Sequence, residues 1–173
     1  AMDWESFKKL AQRLTLKNPD GTIAQYGMST GGWNWNRVMF RLFGGEFFDR
    51  QVDPTRPTVA DNGPLRDGMV EIFRTIYGER FHASDEIIAN AGFANSSLLL
   101  SPRFAMSFVG PWSLRPLQEA GLRFGLAPPP HGPNPSQLIS SNGVGIYADS
   151  EHPEEAWKLI RYMASEAVQP IFG

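Results

Sequence analysis

Three tryptophans lie where the apolar pattern of the chain does not place them in a core. Trp33 and Trp35 follow a pair of glycines and Trp112 follows a Gly-Pro step, so each is expected in a loop or at the start of a helix. An indole offers a flat apolar face that can stack on a sugar ring while its N–H stays free to hydrogen-bond. These residues are therefore candidates for ligand binding. The alternative is packing between helices, which helical spacing favours for Trp35 and leaves open for Trp33.

Other side chains carry weaker signals. Trp4 and Trp157 are interpreted as packing residues. Carboxylates could form an acid/base pair, but no motif joins them, and glycosidase carboxylates are not recognisable from spacing alone. Asp61 and Arg103 are candidates for polar contacts with a ligand. The carboxylates considered are Asp49, Asp53, Asp61 and Asp67.

The histidines do not form a metal motif. His82, His131 and His152 are scattered through loops without a partner at the spacing of metal ligands, and we expect them to be exposed to solvent. The chain has no cysteine, which excludes disulfides, thiolate metal sites and cysteine nucleophiles. Neither a Gly-x-Ser-x-Gly elbow nor a phosphate-binding glycine loop occurs, which argues against hydrolase and nucleotide-binding functions. The sequence therefore predicts no metal and no cofactor.

The composition is that of an ordinary globular domain. Of the 173 residues, 42% are hydrophobic and 20% are charged, and the net charge is -2. Nucleic-acid binding would require a basic patch or stripe, which is absent from the sequence. No apolar run reaches the roughly 18 residues that indicate a membrane span. The sequence thus argues against a transmembrane segment and against a nucleic-acid partner.

Apolar periodicity and turn residues predict an α/β arrangement of elements. Gly44-Gly45 and Gly78 end predicted helices, and Pro64 favours a helix start. The predicted elements, in chain order, are a helix over 3–14, a strand over 22–29, a helix over 35–43, a helix from Asp61 or Asn62 to Gly78, short helical pieces between 81 and 101, a buried strand over 104–109, a short helix over 114–121 and a strand over 122–126.

A proline-rich stretch suggests a domain boundary. Residues 128–138 resist regular structure and are interpreted as a linker. Residues 1–127 would form the main part of one lobe, and residues 139–173 a separate strand and helix. The strand is predicted over 139–148. The helix begins at Pro153, with core positions Ala156, Leu159, Ile160 and Met163.

One segment resembles a known family signature. Residues 103–112 read Arg-Phe-Ala-Met-Ser-Phe-Val-Gly-Pro-Trp, which is similar to the motif of family 1 extracellular solute-binding proteins, the maltose-binding-protein-like group. The resemblance covers nearly the whole chain, although Ser101-Pro102 stands where many members have a small residue and a glycine. Further landmarks in the family's order are Tyr26-Gly27, Gly44-Gly45 and the stretches 121–130, 142–146 and 150–157.

This resemblance implies a fold and a site. The fold would be an α/β lobe of the periplasmic binding protein type II kind, with a mixed sheet flanked by helices. Trp112 would stack on the ligand in the interlobe cleft, while Trp33 and Trp35 supply further aromatic contacts. Polar groups near Asn142 would hydrogen-bond close to the hinge. None of these residues would act chemically.

The resemblance also implies a function and partners. We expect a non-enzymatic, extracytoplasmic subunit, periplasmic or lipid-anchored, that passes a sugar or oligosaccharide to the permease of an ABC importer. Family members have a further lobe segment, so a fragment without its signal segment is expected. Residues 139–173 would then lack their usual sheet, and unpaired strand edges favour a homodimer or domain swap. The alternatives are a glycan-active hydrolase or its carbohydrate-binding module, and a sensor lobe that signals through a partner protein.

Overall fold

The computed structural model describes residues 2–30, 39–50, 52–92, 95–133 and 143–172. The chain divides into two compact units, Ala1–Leu138 and Ile139–Gly173. Trp33, Trp35 and Asn142 lie outside the described residues. The role of residues 128–138 as a linker between lobes stays a prediction. Within the described ranges, no helix is long and apolar enough to cross a membrane.

The first helix, α1 (Trp4–Leu14), begins where the sequence predicts it. Asp3 Oδ1 accepts a hydrogen bond from the Ser6 N–H at 2.8 Å, which satisfies one of the free amides of the first turn. The hydrogen bonds from Ser6 also lower the pKa of the Asp3 carboxyl. Trp4, Phe7 and Ala11 form the buried face. The apolar stripe and the interpretation of Trp4 as a packing residue are both confirmed.

A second long helix, α2 (Gly63–Phe73), is capped by Asn62, one of the two residues that the sequence left open. Asn62 Oδ1 accepts from the Leu65 N–H at 3.1 Å. Pro64 fits the first turn because an amide there has no intrahelical partner to lose. The helix then widens into a π-helical turn, Arg74–Gly78. The predicted stop at Gly78 is confirmed.

Short helices complete the first unit. The sequence's helical pieces between 81 and 101 and its short helix near 114–121 are confirmed. Residues 39–41, the described end of the helix predicted over 35–43, are also helical. The short elements are α3 (Asp85–Ala89), the 3₁₀ helices Asn95–Leu100 and Pro111–Ser113, and α4 (Leu114–Glu119).

The regular sheet is small and antiparallel. Strands β1 (Leu16–Lys17) and β2 (Ile23–Gln25) pair across a turn in which Asp20 Oδ1 accepts from the Thr22 N–H at 2.9 Å. Beyond β2 the pairing becomes parallel, through the bridges Tyr26–Phe104, Ser29–Ser107 and Met28–His82. Antiparallel and parallel pairing therefore meet in one chain segment, as expected of a mixed sheet.

The strand predicted over 122–126 is wrong. Residues 122–130 are irregular. Alternating apolar residues there match the period of a strand, but a strand also needs a neighbour that satisfies its amides and carbonyls. The pattern carries no information about that neighbour.

The main core of the first unit lies between α1, α2 and the parallel segments. Aromatic rings fill much of it, and Trp4 meets Phe43 edge-on with centroids 5.7 Å apart. A smaller core forms around Tyr26, Ala83, Ile88, Leu98 and Phe104. The buried members of the main core are Trp4, Phe7, Ala11, Met28, Met39, Phe40, Leu42, Leu65, Ile72, Ile76 and Phe81.

The second unit contains α5 (Pro153–Met163) and α6 (Gln169–Phe172). No residue of α5 is buried, so its predicted core positions are wrong. Leu159 is 58% exposed, and Trp157, interpreted as a packing residue, is 50% exposed. Residues 143–147 of the predicted strand are irregular. The helical stripe is real, but the described residues of this unit provide no second layer to bury it.

Candidate ligand-binding site

Two segments of the first unit run side by side in parallel. The Tyr26 N–H donates to the Arg103 carbonyl at 2.8 Å, and the Ala105 N–H donates back to the Tyr26 carbonyl at 3.0 Å. The ladder continues as the Ser29 N–H donates to Met106 and the Phe108 N–H to Ser29. Because the pairing is parallel, the residues after Ser29 and those after Phe108 leave the sheet in the same direction.

A third segment pairs on the other side of residues 26–29. The Met28 N–H donates to the Phe81 carbonyl at 3.1 Å, and the Ala83 N–H donates to the Met28 carbonyl at 3.0 Å. The chain then passes through Ser84, whose side chain caps α3. Residues 30, 84 and 109 thus leave the same side of the three segments, which we name the carboxyl edge. In open α/β sheets, ligands bind outside such an edge.

Trp112 follows the carboxyl edge on a short, hydrogen-bonded turn. It is the central residue of the 3₁₀ helix Pro111–Ser113, which the hydrogen bond from the Ser113 N–H to the Gly110 carbonyl closes at 3.0 Å. This turn leads directly into α4, which Leu117 anchors by complete burial. Trp112 itself is 68% exposed. A large aromatic side chain is therefore held on well-packed backbone and presented to solvent.

Ser113, the residue after Trp112, places a polar group in the buried part of this turn. Its hydroxyl oxygen is buried and has no hydrogen-bond partner among the described residues. Leaving such a group unpaired costs free energy relative to its hydrated state in the unfolded chain. The sequence gives no sign of this, because a serine at the start of a helix usually caps it.

The polar candidates occupy different settings. Arg103 uses its main chain in the parallel ladder, accepting from Tyr26, and its side chain is partly exposed. Asp61 lies in the loop before α2, where its Oδ2 accepts from Arg56 Nη1 at 2.6 Å and raises the pKa of that guanidinium. Both side chains of this pair are well exposed. A ligand contact by either residue stays a prediction, as do those of Trp33, Trp35 and Asn142.

The expectation that His82 is exposed is wrong. Its side chain is completely buried, and burial lowers its pKa to about 3. Nδ1 lies 3.1 Å from Thr75 Oγ1, and Nε2 lies 3.1 Å from Thr30 Oγ1. Thr75 donates its only hydroxyl hydrogen to the Ile72 carbonyl at 2.7 Å, so it must accept from His82 Nδ1. Because burial keeps the imidazole neutral, Nε2 carries no hydrogen and accepts from the Thr30 hydroxyl.

The other two histidines lie nearer the surface. His131 is half-buried, and its main chain bonds to the residues that open α1. His152 is exposed, as expected. Among the described residues, no group of three or more histidine, cysteine, aspartate or glutamate side chains could hold a metal ion.

Comparison with known proteins identifies the family. The model of the family described as bacterial extracellular solute-binding protein matches residues 2–170. The chain belongs to this family. The resemblance carried by residues 103–112 is thereby confirmed. No curated protein matches the chain at a significant level.

This solute-binding family member also resembles solved structures. The maltose/maltodextrin-binding domain MalE from Bdellovibrio bacteriovorus, bound to maltotriose, is 26% identical with a TM-score of 0.73. The match covers 98% of this chain and 45% of that one. The Thermus thermophilus maltotriose binding protein, also bound with maltotriose, is 20% identical with a TM-score of 0.59 over 96% of this chain and 44% of that one, and shows the fold alone.

These comparisons confirm the fold class of the solute-binding chain, an α/β lobe of the periplasmic binding protein type II kind. The chain spans less than half the length of either solved relative. The family is one of binding proteins and is described as extracellular.

Proposed function

We propose that this chain takes part in capturing a carbohydrate outside the cytoplasm for an ABC importer, with Trp112 as the stacking surface for a sugar ring. The observation that carries the proposal is an indole that is 68% exposed on a 3₁₀ turn just after the carboxyl edge. An indole presented in this way has an apolar surface available for stacking on a ligand.

The choice of carbohydrate rests on chemistry and on similarity. One face of a sugar ring consists largely of C–H groups, which pack well on an indole, while its hydroxyls remain free for polar contacts. The relative MalE from Bdellovibrio bacteriovorus is bound to maltotriose. A maltooligosaccharide is therefore the first ligand to test with this chain.

The other candidate residues would contribute to the same site. The chain leaves Ser29 on the same side of the ladder as it leaves Phe108. Trp33 and Trp35 follow Ser29 in the sequence and Trp112 follows Phe108, so aromatic contacts would come from both segments. Hydrogen bonds to sugar hydroxyls would come from Arg103, Asn142 and Asp61. For Asp61, such a contact would share a carboxylate that already accepts from Arg56.

The proposed function also requires a second lobe and a membrane permease. Because the chain spans 45% of the length of the MalE match, the opposite wall of the cleft would come from residues outside these 173. Closure of two lobes over the sugar would present the liganded form to the permease. The protein would lie in the periplasm or be lipid-anchored at the cell surface. The homodimer or domain swap expected from the sequence stays a prediction.

Binding without catalysis can be tested directly. The full-length gene product that contains these 173 residues is incubated with maltotriose, tryptophan fluorescence is recorded, and the sugar is then analysed by chromatography. We expect a saturable fluorescence change and intact maltotriose after prolonged incubation. Glucose or maltose among the products would contradict the proposal in favour of a glycan-active hydrolase.

A second tryptophan provides a control for the loss of a fluorophore without the loss of the proposed stacking surface. Trp157 is 50% exposed and belongs to the second unit, so W157F removes an exposed fluorophore that the proposal does not use. We expect W157F to retain the saturable change and W112F to lose most of it. Loss of the change in W157F with retention in W112F would refute the assignment of the stacking surface.

A further inference from the structure

Gly110 has no conformational need to be glycine. Its backbone angles are φ -87° and ψ 166°, in the extended region that any residue adopts. A turn that required a positive φ would explain a glycine at once, as it does for Gly121 in the same unit (φ 73°). At Gly110 the structure shows a close contact instead.

That contact is with the indole of Trp112. A Cβ added to Gly110 would overlap Cη2, Cζ2 and Cζ3 of the Trp112 ring at almost equal distances. Nearly equal distances to three neighbouring ring atoms place the Cβ over the face of the ring, because a point beyond the ring edge would be much closer to one of these atoms than to the other two. One Cα–H bond of Gly110 therefore points into the face of the benzo ring, and the ring lies flat against the main chain.

The two faces of the indole are consequently different. Gly110 is buried beneath one face, whereas Trp112 as a whole is 68% exposed. We propose that Gly110 is a positioning residue: it allows the Trp112 ring to lie on the backbone with one face closed and the opposite face open to one sugar ring. The sugar part of this inference rests on the proposed function.

A ring held in this way is prepared for binding. A side chain that already occupies its bound orientation loses little rotational freedom when the ligand arrives, which favours affinity. A methyl group at position 110 would push the ring off the backbone while leaving the permitted backbone angles unchanged. The three atoms nearest to this methyl group all belong to Trp112, so Gly110→Ala should act mainly through that ring.

The geometry can be tested without any substitution at Gly110. Protons above the face of an aromatic ring are shifted upfield, so the wild-type NMR spectrum should show one Gly110 α-proton far upfield of ordinary glycine positions. In W112A that proton should return to the ordinary range, while the α-protons of Gly125, which has open space around it, should not move. Ordinary Gly110 shifts that W112A leaves unchanged would overturn the proposal.

The consequence for binding is tested by a double-mutant cycle on the full-length gene product with maltotriose. We expect G110A to weaken binding about as much as W112A, by roughly tenfold or more, since truncating a central tryptophan anchor costs at least about 1.4 kcal/mol. G110A in the W112A background should cause no further loss, and G125A should bind like wild type. Equal losses from G110A with and without Trp112 would overturn the positioning role.

The NMR measurement and the binding measurement together distinguish the positioning role of Gly110 from the proposed function on which it rests. If wild type binds no sugar but the Gly110 α-proton is shifted and responds to W112A, the positioning role holds and the proposed function fails. If sugar binds and the shift is absent, the proposed function survives and the positioning role is refuted.

Discussion

Lys8 Nζ lies 2.8 Å from Glu71 Oε1 and so joins α1 to α2. Glu71 also accepts from Trp4 Nε1 at 3.2 Å and from Arg74 Nη1 at 2.9 Å. Its side chain is only 13% exposed. Burial raises the pKa of Glu71, but the hydrogen bonds from Lys8 and Trp4 outweigh it, so the pKa is lowered overall. A carboxylate with these partners fixes the packing of the two longest helices of the first unit.

We expect Glu71→Gln to destabilise the chain by about 1 to 3 kcal/mol at pH 7, because Lys8 loses its partly buried charge partner. The pKa of Glu71 is lower in the folded chain, so its stabilisation is present above pH 4.5 and is lost as the pH falls further. Urea unfolding at pH 7 and pH 3 measures both effects. A cost for E71Q that is the same at the two pH values would contradict this account.

The buried His82 predicts a second pH dependence. Its pKa is lowered from 6.5 to about 3, so the unfolded chain binds this proton first as the pH falls. The contribution of His82 is thus complete above pH 6.5 and declines below it, by at most about 1.4 kcal/mol per pH unit. We expect His82→Gln to be less stable than wild type at pH 7 and the difference to shrink toward pH 4.

The exposed His152 provides the matched control. H152Q should leave the stability at pH 7 unchanged. If H82Q and wild type lose stability in parallel between pH 6.5 and pH 4, His82 is not the group responsible.

Gly27 faces the backbone of α1. A Cβ at this position would overlap the carbonyl of Ala11. Neither the strand segment nor the helix can move far, because Tyr26 and Met28 on either side are both bridged and buried. We expect Gly27→Ala to cost about 2 kcal/mol or more in denaturant unfolding. Gly125→Ala, with nothing within 4 Å, is the control and should change stability little.

The unpaired hydroxyl of Ser113 predicts an unusual outcome. Removing it takes away no hydrogen bond, so Ser113→Ala should be neutral or slightly stabilising. Ser29 is also buried but bonds to Ser107 Oγ at 3.0 Å, and Ser29→Ala should cost about 1 kcal/mol. Thermal unfolding of both variants checks this. Destabilisation of S113A equal to that of S29A would show that the Ser113 hydroxyl has a partner.

Local signals in the sequence were sufficient for α1, because Asp3 and the apolar stripe both act within a few residues. The same local signals could not predict the burial of His82, because its partner Thr30 lies 52 positions away in the sequence. Gly110 shows the same limit, since its backbone is ordinary and only the folded-back ring explains the residue. In α5 the stripe predicted burial, but burial depends on a second layer that periodicity does not specify. The place of Trp112 outside the core followed from its position after a Gly-Pro step, and its role as a ligand contact stays a prediction.

The most direct test of the central claim is the dissociation constant of maltotriose, measured by isothermal titration calorimetry on the full-length gene product. The account predicts saturable binding by wild type and by W157A, and a loss of roughly tenfold or more in W112A with an unchanged unfolding temperature. Equal affinity in wild type and W112A would contradict it.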